Sequence, residues 1–254
     1  MPSSKSNIQL LAFAPHPDDV ELFCSGLLLA AKHQGHTTGI VDLSRGELSS
    51  QGSIEKRERE SAAASKVLNL DIRENLGLPD GSIGVGSDAE EQLKTVVCAL
   101  RRLRPSFVVV PYEKARHPDH SNASALLSRA VFFAGVKNFA SEKEKAHRVG
   151  GVFYYSMRVE AKPSFIVDIS AFRSKKLEAI QCYSSQTVRS DEKANTLISS
   201  PLSLTSLEAR DAHYGAKIGA AYGEPYVVRT GVSISDPVKH FSENPTAEAL
   251  SFFK

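Results

Sequence analysis

The 254-residue chain has three cysteines, Cys24, Cys98 and Cys182, an odd number with no CxxC pair among them. A disulfide scaffold is therefore not expected, and a reducing compartment fits better. No stretch approaches the roughly 20 apolar residues that a membrane-spanning helix needs. Residues 1–7 are polar, and the short apolar run after them is cut by Pro15, His16 and Asp18 before a signal-peptide pattern develops. A soluble, cytoplasmic protein with no membrane partner is expected. Charge of one sign is also lacking. The 31 Lys and Arg against 29 Asp and Glu leave a net charge of +2. With no basic stripe interleaved with aromatics, this argues against a nucleic acid partner. Internal repeats and low-complexity segments are absent.

What is present is an ordinary globular composition, 41% hydrophobic and 24% charged, long enough for one large α/β domain over residues 1–254. Residues 8–14 (IQLLAFA) form a continuous apolar run, the pattern of a strand buried on both faces of a parallel sheet. A helix is expected over 19–34, ended by Gly35, then a strand over 37–43, a Ser/Gly loop over 44–53 and a helix over 54–68. A short strand over 72–76, a turn at Pro79-Asp80-Gly81, a helix over 88–103, a β-branched strand over 106–110 and a helix over 120–133 follow. This alternation predicts a Rossmann-like, doubly wound, mostly parallel sheet with helices on both faces. Beyond Gly150 the pattern loosens into a C-terminal extension. It has strands over 152–157 and 165–169, helices over 172–182 and 204–222, and a polar loop or lid over 184–200.

Two clusters carry chemistry: Pro15-His16-Pro17-Asp18-Asp19-Val20-Glu21 after the first strand, and Arg116-His117-Pro118-Asp119-His120 after the strand ending at Val110. In an open α/β sheet ligands bind outside the carboxyl ends of the strands, so the two clusters meet at that edge. Zinc accepts imidazole nitrogen and carboxylate oxygen, with three protein ligands and an open position at a catalytic site. The clusters offer more candidates than three, which leaves groups to act as base and oxyanion donor. Each cluster alone has a plainer reading, Asp18 or Asp19 as a helix N-cap and HPDH as a polar loop. Their joint placement makes those readings weak. The other five histidines, at 33, 36, 147, 213 and 240, have no such company and read as surface residues. Cys24 and Cys98 read as small buried hydrophobes, and Cys182 lacks a basic neighbour to activate it. A dinucleotide-binding enzyme is excluded by PHPDD standing where GxGxxG is required, and the glycines at 81, 84 and 86 follow a turn rather than a core strand.

The run Phe13-Ala14-Pro15-His16-Pro17-Asp18-Asp19-Val20-Glu21 resembles the (A/P)HPDD signature of the PIG-L/LmbE-like deacetylases. Arg116-His117-Pro118-Asp119-His120 is similar to that family's HPDH motif, and the resemblance covers nearly the whole chain. The stretches 42–49 (DLSRGELS), 73–80 (RENLGLPD) and 168–170 (DIS) resemble the branch that makes bacillithiol, which deacetylates N-acetylglucosaminyl malate. The resemblance implies that His16, Asp19 and His120 hold zinc, with iron(II) able to take the same ligands. It implies Asp18 as the general base. His117, protonated, would stabilise the oxyanion or protonate the leaving amine, and Asp119 behind it would orient it and raise its pKa. One departure is Pro15, where many relatives have Ala; it precedes a ligand and is expected only to reshape the loop.

For the amino-sugar substrate, Arg57 and Arg116 match arginines that line the sugar pocket and could hold the malate carboxylates through their bidentate forks. Arg57 reads equally as part of a solvated helix face (EKRERE). Glu47 and Ser49 read either as residues of the pocket mouth or as turn residues. The resemblance further implies a homo-oligomer, such as a hexamer. The same zinc chemistry on another glycoside (a chitin fragment, an inositol-linked sugar) or on a thiol-conjugate amide is the alternative. A non-enzymatic sugar-binding relative is disfavoured by the intact Asp18.

Overall fold

A computed structural model of the chain describes residues 8–140, 144–187, 198–200 and 202–245. Among the described residues seven strands form one sheet: β1 (Leu10–Ala14), β2 (Thr38–Asp42), β3 (Ile72–Asn75), β4 (Phe107–Pro111), β5 (Gly151–Tyr155), β6 (Phe165–Asp168) and β7 (Gly223–Val227). Their spatial order is β3-β2-β1-β4-β5-β7-β6. The first five strands pair in parallel, and β7 runs antiparallel to both β5 and β6.

The helices are α1 (Asp19–Phe23), α2 (Ser25–His33), α3 (Ile54–Val67), α4 (Ala89–Leu103), α5 (Pro118–Ala134), α6 (Arg173–Gln181), α7 (Ser184–Thr187), α8 (Leu202–Ala216) and α9 (Pro237–Glu243). Alternate residues of a strand face opposite sides, and β1 shows why its sequence is apolar throughout. Leu11 and Phe13 join the core beneath α4 and α5, with Val41, Val108 and Val110. Leu10, Ala12 and Ala14 join the opposite core beneath α1, α2, α6 and α8, with Ile40, Val109 and Tyr155. The doubly wound α/β fold stands as expected. Among the described residues no helix is long and apolar enough to cross a membrane.

Several elements differ from the expectation. The single helix over 19–34 is two, broken at Cys24, whose φ of −147° leaves the helical region. The break frees the N–H groups of Gly26 and Leu27 to donate to the buried Glu224 carboxylate, at 2.9 and 2.8 Å. Gly26 is needed there, because a Cβ would meet Ile169 at 2.6 Å and Glu224 at 2.8 Å. The helix expected over 204–222 ends at Ala216 and gives way to β7, which carries Pro225. Proline is tolerated because Pro225 pairs with Ile166 of β6, while β5 pairs with β7 at Tyr226 and Val227. Helix α9 was not anticipated, although Asp236 caps it and Pro237 opens it. Of the loop expected over 184–200, residues 184–187 are helical, and 188–197 lie outside the described residues. Of the five other histidines, four are exposed, while His147 is half-buried with Nε2 2.7 Å from Pro105 O.

Candidate active site

Where β1 and β4 lie side by side, the chain leaves them in opposite directions, β1 toward β2 and β4 toward β5. Such a reversal opens a crevice at the carboxyl edge of the sheet. Both motifs fall there, just past Ala14 and Pro111, and Asp80 joins them from the turn after β3. A cavity of about 280 Å³ opens over them, lined by His16, Asp18, Asp19, Asp80, His117 and His120 among others.

Three ligand-type atoms form an equilateral triangle. His16 Nδ1 lies 3.3 Å from Asp19 Oδ2. His120 Nε2 lies 3.3 Å from Asp19 Oδ2 and 3.3 Å from His16 Nδ1. An ion held tetrahedrally at the zinc-ligand distance of about 2.0–2.1 Å has ligand–ligand edges of about 3.3–3.4 Å. The side chains are thus already spaced for a small divalent cation. Local structure explains the spacing: His16 N–H donates to Asp19 Oδ2 at 3.0 Å, closing the turn that sets one ligand against the next. A second group of possible ligands, His16, His117 and Asp119, shares His16 with the first.

The far side of the His16 ring is also held. Its Nε2 lies 3.1 Å from Asp80 Oδ1 and 3.3 Å from Asp119 Oδ2. A carboxylate behind a metal-binding imidazole fixes the proton on the outer nitrogen and makes the inner one a better ligand. Burial disfavours charge on His16, but the hydrogen bonds with Asp119, Asp19 and Asp80 outweigh it and raise its pKa well above the ordinary value. Burial likewise opposes ionisation of Asp19 and Asp80. His120 and His16 nevertheless hold Asp19 well below the usual carboxylate range, and His16 and Leu48 N–H take Asp80 to about 2.

Asp18 is set apart from the triangle. It is buried, and its φ of 111° puts a non-glycine residue in left-handed backbone, a strain of about 1–3 kcal/mol that clusters at functional sites. The N-cap reading fails, since its side chain makes no capping hydrogen bond. Instead Arg57 Nη2 donates to Asp18 Oδ2 at 3.2 Å and to Pro17 O at 2.6 Å. Burial pushes the Asp18 carboxyl up to about 8, against the opposing pull of Arg57. Arg57 is therefore no solvated helix residue. It is buried, its Nη1 reaching Gly46 O, and Gly46 has no Cβ because one would stand 2.0 Å from that nitrogen.

Two expectations about the second motif need correction. Asp119 does not back the His117 ring: its Oδ2 accepts from Gly81 N–H at 2.7 Å and faces His16 Nε2. Nor is the His117 pKa raised. Burial, His16 and His120 lower it, and the nearby Asp119 does not compensate. His117 caps α5, its Nδ1 accepting from Asp119 N–H at 3.3 Å, which assigns the proton of the neutral ring to Nε2.

Arg116 is exposed and lines the cavity. Ser49 lines it too, its hydroxyl reaching Gln186 Oε1 at 3.2 Å. Glu47 is exposed and accepts from Asp80 N–H at 2.8 Å, a turn contact that supports Asp80 from outside the lining. Asp80 itself, read from sequence only as part of a turn, and Arg158, not singled out at all, both line the cavity. The signal for Asp80 was its place just past a third parallel strand, at the edge where the other two motifs lie.

A family model described as GlcNAc-PI de-N-acetylase, PIG-L, matches residues 11–131, from β1 through most of α5, and so includes both motifs. A conserved protein of Thermus thermophilus has a solved structure that superimposes with a TM-score of 0.80 at 41% identity, covering 89% of this chain and 97% of that one. Diacetylchitobiose deacetylase of Thermococcus kodakarensis is 29% identical over 70% of each chain. A probable N-acetyl-α-D-glucosaminyl L-malate deacetylase 2 of Bacillus anthracis is 24% identical over 72% of this chain and 83% of its own. The family model that spans both motifs of this chain, and the fold shared with the Thermus protein, show that this chain belongs to the PIG-L family of de-N-acetylases.

Proposed function

We propose that this amide hydrolase uses zinc to remove the acetyl group from an N-acetylglucosaminide, with N-acetylglucosaminyl malate as its substrate. The observation that carries the reading is the 3.3 Å triangle of His16, Asp19 and His120 beside a buried, strained Asp18 that is not part of it. Zinc bound there supplies Lewis acidity and lowers the pKa of water near it.

The chain's own groups do the rest. Asp18 takes a proton from the attacking water: burial makes it more basic than an ordinary carboxylate, while Arg57 fixes the direction of its lone pairs. His117 enters as a neutral donor, its Nε2–H available to the oxyanion that forms when the amide carbonyl becomes tetrahedral. The proton held by Asp18 then passes to the departing amine. Asp80 and Asp119 keep His16 in the tautomer that presents Nδ1 to the ion.

The choice of glycoside is supported by the malate-specific name of the Bacillus relative and by Arg116 at the cavity. The Thermococcus relative, named for a neutral disaccharide, is the reason to compare two substrates. Acetate release from N-acetylglucosaminyl malate is expected to exceed that from diacetylchitobiose at equal concentration. Turnover of diacetylchitobiose alone would keep the chemistry and refute the malate assignment.

A further inference from the structure

The first motif ends in Glu21, and the mechanism above leaves that carboxylate without a role. It is fully buried in α1, two residues past Asp19 and three past Asp18. A carboxylate taken out of water needs partners of good geometry. Its partners lie on two other parts of the chain. Arg73 of β3 donates from Nη1 to Glu21 Oε1, and Tyr183, just after α6, donates its hydroxyl to the same oxygen at 3.0 Å. The other nitrogens of the Arg73 fork, Nε and Nη2, donate to both oxygens of Asp42, the last residue of β2, at 2.8 and 2.9 Å. One guanidinium thus fastens α1 to two neighbouring strands, through a fork that lysine cannot reproduce.

The turn fastened in this way is strained. Left-handed backbone at a residue such as Asp18 persists only where its surroundings over-determine it. Helix α1 is five residues long, too short to hold itself. Val20, Leu22 and Phe23 pack it into the core, but apolar contact is non-directional and leaves the rotation of so short a helix loosely set. Asp19 is held separately, with Oδ2 between His16 and His120. Asp18 has Arg57 on one side and the first turn of α1 on the other, where Leu22 N–H donates to Asp18 O at 3.0 Å. Residues three apart share a side of a helical turn, and Asp18, Glu21 and Tyr183 line one small gap in the packing. A shift of Glu21 therefore carries Asp18 with it.

We propose that Glu21 is a positioning residue for the reaction: Arg73 and Asp42 anchor it to the sheet, and it holds the strained turn that aims Asp18 at the cavity. Tyr183 extends the same anchor to α7, whose Gln186 lines that cavity. That the group aimed is a general base rests on the deacetylase reading above.

The test compares zinc-loaded wild type with Glu21→Gln, Tyr183→Phe, Arg73→Lys and Arg73→Gln. Gln keeps the shape of Glu21 and an acceptor but loses the ion pair. In Glu21→Gln, kcat on N-acetylglucosaminyl malate should fall about 10–100-fold, the effect of a catalytic group displaced by up to about 1 Å, with KM within twofold. Arg73→Lys, which keeps a charge facing Glu21, should retain at least about threefold more kcat than Arg73→Gln. Tyr183→Phe removes one of two donors and should fall between wild type and Glu21→Gln; with Arg73→Lys it decides the matter if Glu21→Gln does not fold. A kcat per zinc-loaded site within twofold of wild type in every variant that folds would overturn the proposal. Hydrogen exchange supplies a readout independent of turnover. The Leu22 and Cys24 amides, which donate to Asp18 O and Val20 O, should exchange about tenfold faster in Glu21→Gln, while those of β4 keep their rates. Unchanged exchange in α1, or equal acceleration in α1 and β4, would also overturn it. If the wild type hydrolyses no N-acetylglucosaminide, the deacetylase reading is refuted, and the exchange rates still decide whether Glu21 holds the turn.

Discussion

Replacing Asp80 with Asn isolates the electrostatic support behind the metal triangle. Asp80 Oδ1 lies 3.1 Å from His16 Nε2, and its other oxygen accepts from Leu48 N–H at 2.9 Å. Asn keeps one acceptor for Leu48 N–H and nearly the same shape, so the loop should stay in place while the negative charge and the acceptor facing His16 Nε2 are lost. Two effects then compete. His16 loses one of the groups that raise its pKa, which reduces proton competition for Nδ1. The same charge also attracts the bound dication, with twice the charge of the proton, so the loss of attraction prevails. Removing such a supporting carboxylate costs about 10–100-fold in metal affinity or activity. Asp119 remains 3.3 Å from the same nitrogen, which places the single substitution at about the tenfold end of that range. Competition with a chromophoric chelator at pH 7.5 measures the affinity directly. The double variant Asp80→Asn/Asp119→Asn should lose more than the product of the two single effects, because each carboxylate covers for the other. Unchanged zinc affinity in both the single and the double variant would refute the role given to these carboxylates.

Asp18→Asn should keep zinc at full stoichiometry and lose about 10²–10⁴-fold in kcat, the range for a general base; a variant within threefold of wild type would remove Asp18 from that role. His117→Ala should likewise keep zinc and lose about 10²–10³-fold in kcat as an oxyanion donor is removed, which near-normal kinetics would contradict. Zinc binding should depend on pH in a defined direction. The metal-free His16 pKa lies above its usual value, so protons occupy Nδ1 or its partner nitrogen as pH falls through that raised pKa, and affinity falls with them. Calorimetry in buffers of different ionisation enthalpy should show net proton release near pH 7, and none would count against the raised pKa. Glu224→Gln should destabilise the fold by about 3 kcal/mol in urea unfolding. The buried carboxylate accepts from Gly26 and Leu27 N–H and pairs with Lys176 at 2.8 Å, although Lys176 keeps Asp211. A loss of less than about 1 kcal/mol would show the network to be dispensable.

The parallel half of the fold was legible because its strands are buried on both faces. IQLLAFA and FVVV admit few other readings when Gly- and Pro-bearing turns bound them. The two motifs were legible for a related reason: clustered His and Asp at the ends of buried strands have few structural uses. The C-terminal part was harder, because β7 carries a proline and its neighbours supply the pairing that its own sequence does not advertise. The break at Cys24 was invisible because its cause, Glu224, lies 198 residues from Gly26 in sequence. Arg57 illustrates the limit of local pattern: EKRERE marks a solvated face, yet one arginine of it turns inward to Asp18. Asp119 shows the same from the other side. The family resemblance implied His117 as its partner, whereas the capping geometry of α5 turns the carboxylate to His16.

The most direct test of a metal triangle driving amide hydrolysis is a zinc titration of chelator-stripped protein, with bound metal and acetate release from N-acetylglucosaminyl malate read in the same samples. Activity should rise in proportion to bound zinc and stop rising at one equivalent, and His120→Ala should show neither tight binding nor turnover. Full acetate release before zinc is added, or wild-type stoichiometry in His120→Ala, would contradict the assignment of His16, Asp19 and His120 as the site of catalysis.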